Sequence, residues 1–196
     1  MLRPIYLQPG DKMALISPSG VATKEQLDAA CSLLTSWELE PVPGQHVLSR
    51  HGRLAGTDEE RLHDLQTALD AEDIRAIWCM AGDYGMLRIV QEADYSIFQG
   101  NPKWVIGMND ITVLHSKLHS LGIESLHAFM PSDYNTTSPE VVTQLRNFLF
   151  GIISSYAIPA HPFNRPGIVE TEMIGGMLQW VHNLHDTCIE RNTRGT

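Results

Sequence analysis

The chain has 196 residues, of which 43% are hydrophobic, and it carries a formal net charge of −9. A length prior of roughly 100 to 200 residues per domain predicts one compact domain with a substantial core. The acidic balance and the lack of a Lys/Arg run argue against a nucleic-acid scaffold, because phosphate neutralisation needs clustered cations.

Strand and helix signals alternate along the chain, which is typical of a parallel sheet with helices on both faces. Apolar runs predict strands at residues 12–17, 40–42, 74–80, 105–107 and 123–129. Capping residues and apolar spacing predict helices at residues 24–37, 58–71, 86–92, 110–121 and 139–150. Irregular structure is predicted at residues 44–55 and in the proline-containing stretch 158–167. The expected fold class is α/β, with three layers and a mostly parallel sheet.

The amino terminus lacks the apolar core of a signal peptide, and no stretch approaches the roughly 20 apolar residues of a membrane span. We therefore expect a soluble, cytoplasmic protein. Cys31, Cys79 and Cys188 are odd in number and far apart, so they predict neither a disulfide framework nor a metal or redox pair. Cys79 lies in an apolar run and is predicted to be a buried strand residue. A catalytic thiol is the alternative, although no base is placed beside it.

Residues 102–112 predict a buried strand, a one-residue elbow and the start of a helix. In the elbow of many hydrolases this geometry exposes a nucleophilic serine and aims the next backbone N–H at the developing oxyanion. Asn109 stands where that serine would be. A carboxamide nitrogen has a delocalised lone pair and is a poor nucleophile, so Asn109 can hold a ligand but hardly acylate. The alternative is that Asn109 only fills a tight turn, since Asn tolerates positive φ.

Three motifs occur in the order found in one family of serine peptidases. They are G-T-D-E-E-R at residues 56–61, A-G-D-Y-G at 81–85, and N-P-K-W at 101–104 followed by G-M-N-D-I-T at 107–112. The chain thereby resembles the LD-carboxypeptidases of bacterial murein recycling, whose motifs run G-T-D-x-x-R, R-G-G-Y-G, and N-P-K-W with G-[YF]-S-D-I-T. The resemblance implies a flavodoxin-like sheet of the kind found in the family's N-terminal domain.

The resemblance also implies a division of the chain. Residues 1–150 would form the N-terminal domain, and residues 151–196 a linker and helical tail that begins a C-terminal catalytic domain. The G-G-M-L run at residues 175–178 is similar to the family's step into that second domain. Family members complete a Ser-His-Glu triad from the C-terminal domain, and we expect this chain to stop before that domain. No Glu or His can therefore be assigned to a triad.

Two functions from different classes follow from the resemblance. The family reaction is hydrolysis of the L,D-amide bond that releases terminal D-alanine from a murein tetrapeptide. With Asn109 in place of the serine, we expect this chain to be inactive and to be a non-catalytic domain that binds a muropeptide. The alternative is an active serine-type LD-carboxypeptidase.

The turns that follow two neighbouring strands should face one crevice, because ligands bind at the carboxyl ends of parallel strands. The resemblance implies that Gly82, Asp83 and Tyr84 in the first turn contact a ligand. It also implies that the N–H groups of Gly82 and Asp110 could form an oxyanion hole. The family's Arg is replaced by Ala81, which removes a cation, and Asp83 replaces a glycine. We expect this added carboxylate to repel both an oxyanion and a substrate carboxylate.

Two histidine pairs are candidate metal ligands. His115 and His119 have the i, i+4 spacing that lets two imidazoles share a metal, but no third ligand is evident, so a solvated helix face is expected instead. The pair His182 and His185 is a weaker indication of a metal site. The sequence therefore predicts no metal site and no cofactor.

The tail contains apolar residues at helical spacing: Met173, Ile174, Met177, Leu178, Trp180, Val181 and Leu184. We expect this segment either to fold back on its own domain or to pack against a second copy in a homodimer. An ordinary core helix is the simpler alternative. The other expected partner is a muropeptide, and neither nucleic acid nor a membrane is expected to bind.

Overall fold

The computed structural model describes residues 1–152, 159–168, 170 and 173–184. Its strands are β1 Lys12–Ile16, β2 Glu40–Pro43, β3 Ile74–Cys79, β4 Trp104–Gly107 and β5 Leu126–His127. They form one sheet in the order β2-β1-β3-β4-β5, and every pairing is parallel. The order 2-1-3-4-5 is that of flavodoxin-like folds, so the predicted α/β architecture is confirmed.

Helices cover both faces of this sheet. They are α1 Lys24–Ser36, α2 Asp58–Asp70, α3 Met86–Ile89, α4 Ser96–Gly100, α5 Thr112–Ser120, α6 Pro139–Leu149 and α7 Leu178–Asn183. The predicted starts of α1 and α2 are confirmed, because Thr23 and Thr57 each form a capping box with the residue three positions later. Such a box satisfies two N–H groups that a helix start would otherwise leave without partners.

Successive residues of each inner strand enter opposite halves of the core. In β1, Met13 and Leu15 pack in the cluster that contains α1 and α6. Ala14 and Ile16 pack in the other cluster, with α2 and α5. Both faces of the sheet are thus buried, which explains why the strands are continuous apolar runs rather than alternating ones.

Two predicted elements are shorter than expected. The helix predicted at 86–92 ends at Ile89, and the separate helix α4 follows it. The strand predicted at 123–129 is reduced to Leu126–His127. The reason is visible in β3, where the Trp78 indole N–H donates to the Phe129 carbonyl at 3.0 Å. This bond, together with Ser132 N–H to Met80 O at 3.0 Å, turns the chain across the end of β3.

The segment around α7 packs against the α/β domain. Met177 N–H donates to Thr112 Oγ1 at 3.1 Å, and the side chains of Trp180 and Leu184 are buried in the cluster that contains α5. This is the fold-back arrangement that the apolar spacing allowed. Regular helix covers only Leu178–Asn183, and Met173 is almost fully exposed. The domain boundary at residue 150 and the homodimer remain predictions.

Residues 159–167 contain no helix or strand, as their prolines predict, while residue 158 lies outside the described ranges. Within the described ranges, no helix combines the length and apolar character needed to cross a bilayer.

Candidate active site

The elbow after β4 has the predicted strand–turn–helix geometry. Met108 is extended, and Asn109 takes a φ of 57°, the left-handed region that Asn adopts more readily than most residues. A 3-10 turn at Asn109–Ile111 then leads directly into α5. Gly107 is required here, because a Cβ at that position would lie 2.8 Å from Ile111 Cγ2.

The turn after β3 meets this elbow. A Cβ placed on Gly82 would lie 2.8 Å from Met108 O and 3.0 Å from Asn109 Cβ, so only glycine lets the two backbones approach so closely. Gly82 and Asn109 are half-buried, whereas Asp83 and Tyr84 are exposed. The structure therefore brings together the two turns that the sequence predicted would share a crevice. The role of each residue in binding remains a prediction.

A buried hydrogen-bond network joins these turns to a third one, which follows β1. Ser19 Oγ–H donates to Asp110 Oδ2 at 2.5 Å, and Met86 N–H donates to the same oxygen at 2.7 Å. Asp83 N–H in turn donates to Ser19 Oγ at 3.3 Å. Ser19 and Asp110 are fully buried, and sequence reasoning did not identify Ser19 as part of the site.

The buried Asp110 carboxyl connects the crevice turns by accepting hydrogen bonds from Ser19 and Met86. Burial raises the pKa of Asp110, while the hydrogen bonds from Ser19 and Met86 oppose part of that rise. Its second oxygen, Oδ1, is buried and has no hydrogen-bond partner among the described residues. Asp110 is fully buried, so its carboxyl is not exposed to a ligand in the crevice, and the role of its backbone N–H in an oxyanion hole remains a prediction.

Asp83 is paired with a cation that the sequence analysis did not anticipate. Arg53 Nη2 lies 2.9 Å from Asp83 Oδ1 and 3.0 Å from Oδ2. The Arg53 side chain is 83% exposed and comes from the irregular segment before α2. The Asp83 carboxylate thus has a cationic partner, and its expected repulsion of a ligand carboxylate remains a prediction. Nothing in the local sequence could have shown this pairing, because the two residues are 30 positions apart.

Tyr84 connects the crevice to the tail. Its ring stacks on the Trp180 ring, with centroids 6.3 Å apart and planes 29° from parallel. Trp180 is buried, while Tyr84 remains 47% exposed. One face of Tyr84 is thus occupied within the chain, and the exposed part of its side chain is available to a ligand.

The charged residues of the other two motifs make structural contacts. Arg61 is buried and donates to Pro18 O at 2.6 Å and Gly85 O at 3.0 Å, so it ties two crevice turns to α2. Its guanidinium also pairs with Asp58, and a hydrogen bond from Arg88 lowers the pKa of that carboxyl.

Lys103 plays a similar part at the far end of the same helix. Its ammonium donates to the carbonyls of Ala68 and Leu69, at 3.0 and 2.5 Å, near the C-terminus of α2. These carbonyls lack partners within the helix, so the bonds satisfy groups that would otherwise be unpaired. Burial lowers the pKa of Lys103 to about 8.

The remaining sequence candidates do not join the crevice. His115 is buried, and its ring lies 3.0 Å from Gly107 O through Nε2 and 2.8 Å from Ser125 Oγ through Nδ1. The expectation of a solvated helix face is therefore wrong for His115, and both ring nitrogens are engaged. Cys79 is buried as predicted, and burial raises its pKa to about 12, which disfavours the thiolate. His185 and Cys188 lie outside the described residues.

Comparison with known proteins identifies the group to which this scaffold belongs. The family model for the LD-carboxypeptidase N-terminal domain matches residues 13–128. The chain belongs to the LD-carboxypeptidase family. The match contains all three motifs and both turns of the crevice.

Two relatives and one solved structure agree with this assignment. A Bacillus subtilis protein named as a probable murein peptide carboxypeptidase is 30% identical over 98% of this chain and 62% of its own length. The murein tetrapeptide carboxypeptidase of Pseudomonas aeruginosa is 38% identical over 61% of this chain and 40% of its own. The crystal structure of the muramoyltetrapeptide carboxypeptidase from Oxalobacter formigenes superposes with a TM-score of 0.63 at 26% identity. The superposition covers 70% of this chain and 47% of the Oxalobacter formigenes chain. The chain thus spans less than two thirds of the length of these LD-carboxypeptidase relatives.

Proposed function

We propose that this LD-carboxypeptidase-family chain binds murein-type peptides in the crevice between residues 82–85 and 107–110 and does not form an acyl-enzyme there. The observation that carries the proposal is Asn109 on an intact elbow, at a φ of 57°. The scaffold that would present a nucleophile is retained, while the group presented is a carboxamide, whose nitrogen is a poor nucleophile.

No other hydroxyl of the crevice network takes over this role. Ser19 is fully buried, and its proton is donated to Asp110 Oδ2. A nucleophile must reach the carbonyl carbon of a bound substrate at about 3 to 3.5 Å, and Ser19 lies beneath the turn rather than in the crevice. Cys79 is equally buried and is held in the thiol form.

The exposed groups of the crevice support binding of a peptide that ends in a carboxylate. Arg53 carries a guanidinium, the side-chain type that pairs best with carboxylates, and although its Nη2 is paired with Asp83 its side chain stays 83% exposed at this turn. Tyr84 supplies an aromatic surface beside it. The Pseudomonas aeruginosa relative named murein tetrapeptide carboxypeptidase suggests the ligand class, a murein peptide.

The test measures binding and hydrolysis in the same samples. The purified chain is incubated with a murein tetrapeptide, D-alanine release is followed, and the dissociation constant is measured by calorimetry. We expect saturable binding without D-alanine release. Release by the unaltered chain would contradict the non-acylating proposal, and the absence of binding at millimolar peptide would contradict the binding proposal.

Two variants sharpen the test. Asn109→Ser restores the hydroxyl on the elbow, and release by this variant alone would locate the lost activity at position 109. Arg53→Ala should weaken binding of the peptide, because it removes the guanidinium beside the crevice. Arg50→Ala is the matched control, since Arg50 is exposed in the same segment and its guanidinium contacts Gly52 O rather than the Asp83 turn.

A further inference from the structure

A second group of polar side chains lies outside the crevice, where the segment after β2 meets α2. Glu60, His63 and Asp64 stand at i, i+3 and i+4 of α2, so their side chains share one face of the helix. His46 approaches the same face from the preceding segment. Ligand atoms of His46, His63 and Asp64 all lie within 4.8 Å of one another.

Both carboxylates of this cluster are oriented by the backbone. Asp64 is buried, and its Oδ2 accepts the His46 N–H at 2.8 Å, while Oδ1 lies 3.4 Å from His63 Nδ1. Glu60 Oε2 accepts the Thr57 N–H at 2.8 Å, and Oε1 lies 3.5 Å from His46 Nδ1. Each carboxylate thus has one oxygen fixed by an N–H group and the other directed at an imidazole. Hydrogen bonds of this kind orient the ligands of metal sites.

The close approach of the segment to α2 is built into the chain. A Cβ on Gly44 would lie 2.4 Å from Asp64 Oδ2, so a side chain at position 44 would displace the carboxylate. The two imidazoles meet edge to face, with centroids 5.3 Å apart. One shared divalent cation would satisfy both rings and the Asp64 carboxylate.

We propose that His46, His63 and Asp64 form a binding site for a divalent transition metal ion, with Zn²⁺ as the ion that fits best and with Glu60 beside His46 at its edge. Imidazole nitrogen and carboxylate oxygen at about 2.0 to 2.2 Å are ordinary Zn²⁺ ligands. A site for Mg²⁺ or Ca²⁺ would be built from oxygen atoms alone. The His63 side chain is 53% exposed, so it can turn toward a shared ion.

This site extends the proposed function without depending on it. A metal ion would cross-link the segment at residues 44–57 to α2. The same segment carries Arg53, which pairs with Asp83 at the crevice. Metal binding would therefore stabilise the position of the guanidinium that the crevice uses. The adjacent His63 and Asp64 did not predict this site, because its third member, His46, lies 17 positions upstream of His63.

The experiment uses the full 196-residue chain without a histidine tag, freed of metal with a chelator. We expect calorimetry to show one equivalent of Zn²⁺ bound, with a rise in the melting temperature, because the ion binds the folded chain preferentially. His63→Ala should weaken Zn²⁺ binding by about tenfold or more. Because this side chain is exposed, the variant should melt as the unaltered chain does when metal is absent.

Two further variants separate ligation from surface histidine binding. Asp64→Asn keeps an acceptor for the His46 N–H but removes the charge, so it should weaken Zn²⁺ binding while retaining the fold. His51→Ala removes an exposed imidazole of the same segment that lies outside the cluster. The Zn²⁺ affinity of this variant should equal that of the unaltered chain. Equal Zn²⁺ affinity in all four chains, or no binding at millimolar Zn²⁺, would overturn the proposal.

Discussion

Ser19 Oγ lies 2.5 Å from Asp110 Oδ2, and this contact joins the turn after β1 to the elbow after β4. Met86 N–H and Asp83 N–H complete the network, so three turns at the carboxyl edge of the sheet are held together beneath the surface. None of these contacts involves the side chain at position 109. The network that joins these turns therefore does not require a serine at position 109.

The buried carboxyl of Asp110 should make stability depend on pH. Burial raises its pKa above the unfolded value of about 3.9, so the folded chain holds this proton more tightly than the unfolded chain does. The stabilising contribution is complete below about pH 3.9 and is lost as the pH rises through the raised pKa. We expect the free energy of unfolding, relative to that of Asp110→Asn, to fall between pH 4 and neutral pH.

This difference is measured by urea unfolding of both chains at matched pH values. Comparing the two chains cancels the titration of the other groups, provided that both fold alike. Asn can still accept the hydrogen bonds from Ser19 and Met86, so the variant is suited to the comparison. A difference that is constant with pH, or that grows as the pH rises, would contradict the prediction.

The local parts of the site were predictable from sequence, whereas its long-range contacts were not. The elbow at Asn109 and the caps at Thr23 and Thr57 depend on residues within a few positions of one another, and these predictions are confirmed. Ser19 and Asp110 are 91 positions apart, and their contact exists only because parallel strands end at the same edge. For the same reason the pairing of Asp83 with Arg53 was not predictable, since Arg53 reaches it from a segment without regular structure.

The second prediction concerns the buried Arg61. Arg61→Ala removes donors to Pro18 O and Gly85 O and leaves two buried carbonyls unpaired, so at about 1 to 3 kcal/mol each it should lower the free energy of unfolding by about 2 to 6 kcal/mol. Arg88→Ala is the control, because Arg88 pairs with the same Asp58 but is half-exposed, and its loss should cost about 0 to 1 kcal/mol. The measurement is the urea midpoint at an unchanged slope. Similar losses in both variants would show that Asp58 pairing, rather than the two carbonyls, explains the role of Arg61.

The third prediction tests the close approach of the two turns. Gly82→Ala would place a Cβ 2.8 Å from Met108 O, so the elbow must move, at a cost of about 1 to 3 kcal/mol. Muropeptide affinity should fall as well, because the crevice lies between these turns. Gly100→Ala is the control, because Gly100 ends α4 and a Cβ at this position would meet no atom within 4 Å. This substitution should be neutral or slightly stabilising. If Gly82→Ala unfolds at the same urea concentration as the unaltered chain, the turns are not packed as described.

The last prediction concerns the docking of α7. Trp180 is the main contact of this helix, through its buried ring and its stacking on Tyr84. Because α7 has only six residues, Trp180→Ala should release it locally rather than unfold the domain. We expect faster proteolysis between residues 173 and 184, with the urea midpoint of the sheet nearly unchanged. Leu178→Ala alters the same helix at an exposed position and should leave the cleavage rate unchanged. A large fall in the global midpoint of Trp180→Ala would mean instead that α7 unfolds only together with the core, as an integral part of the domain.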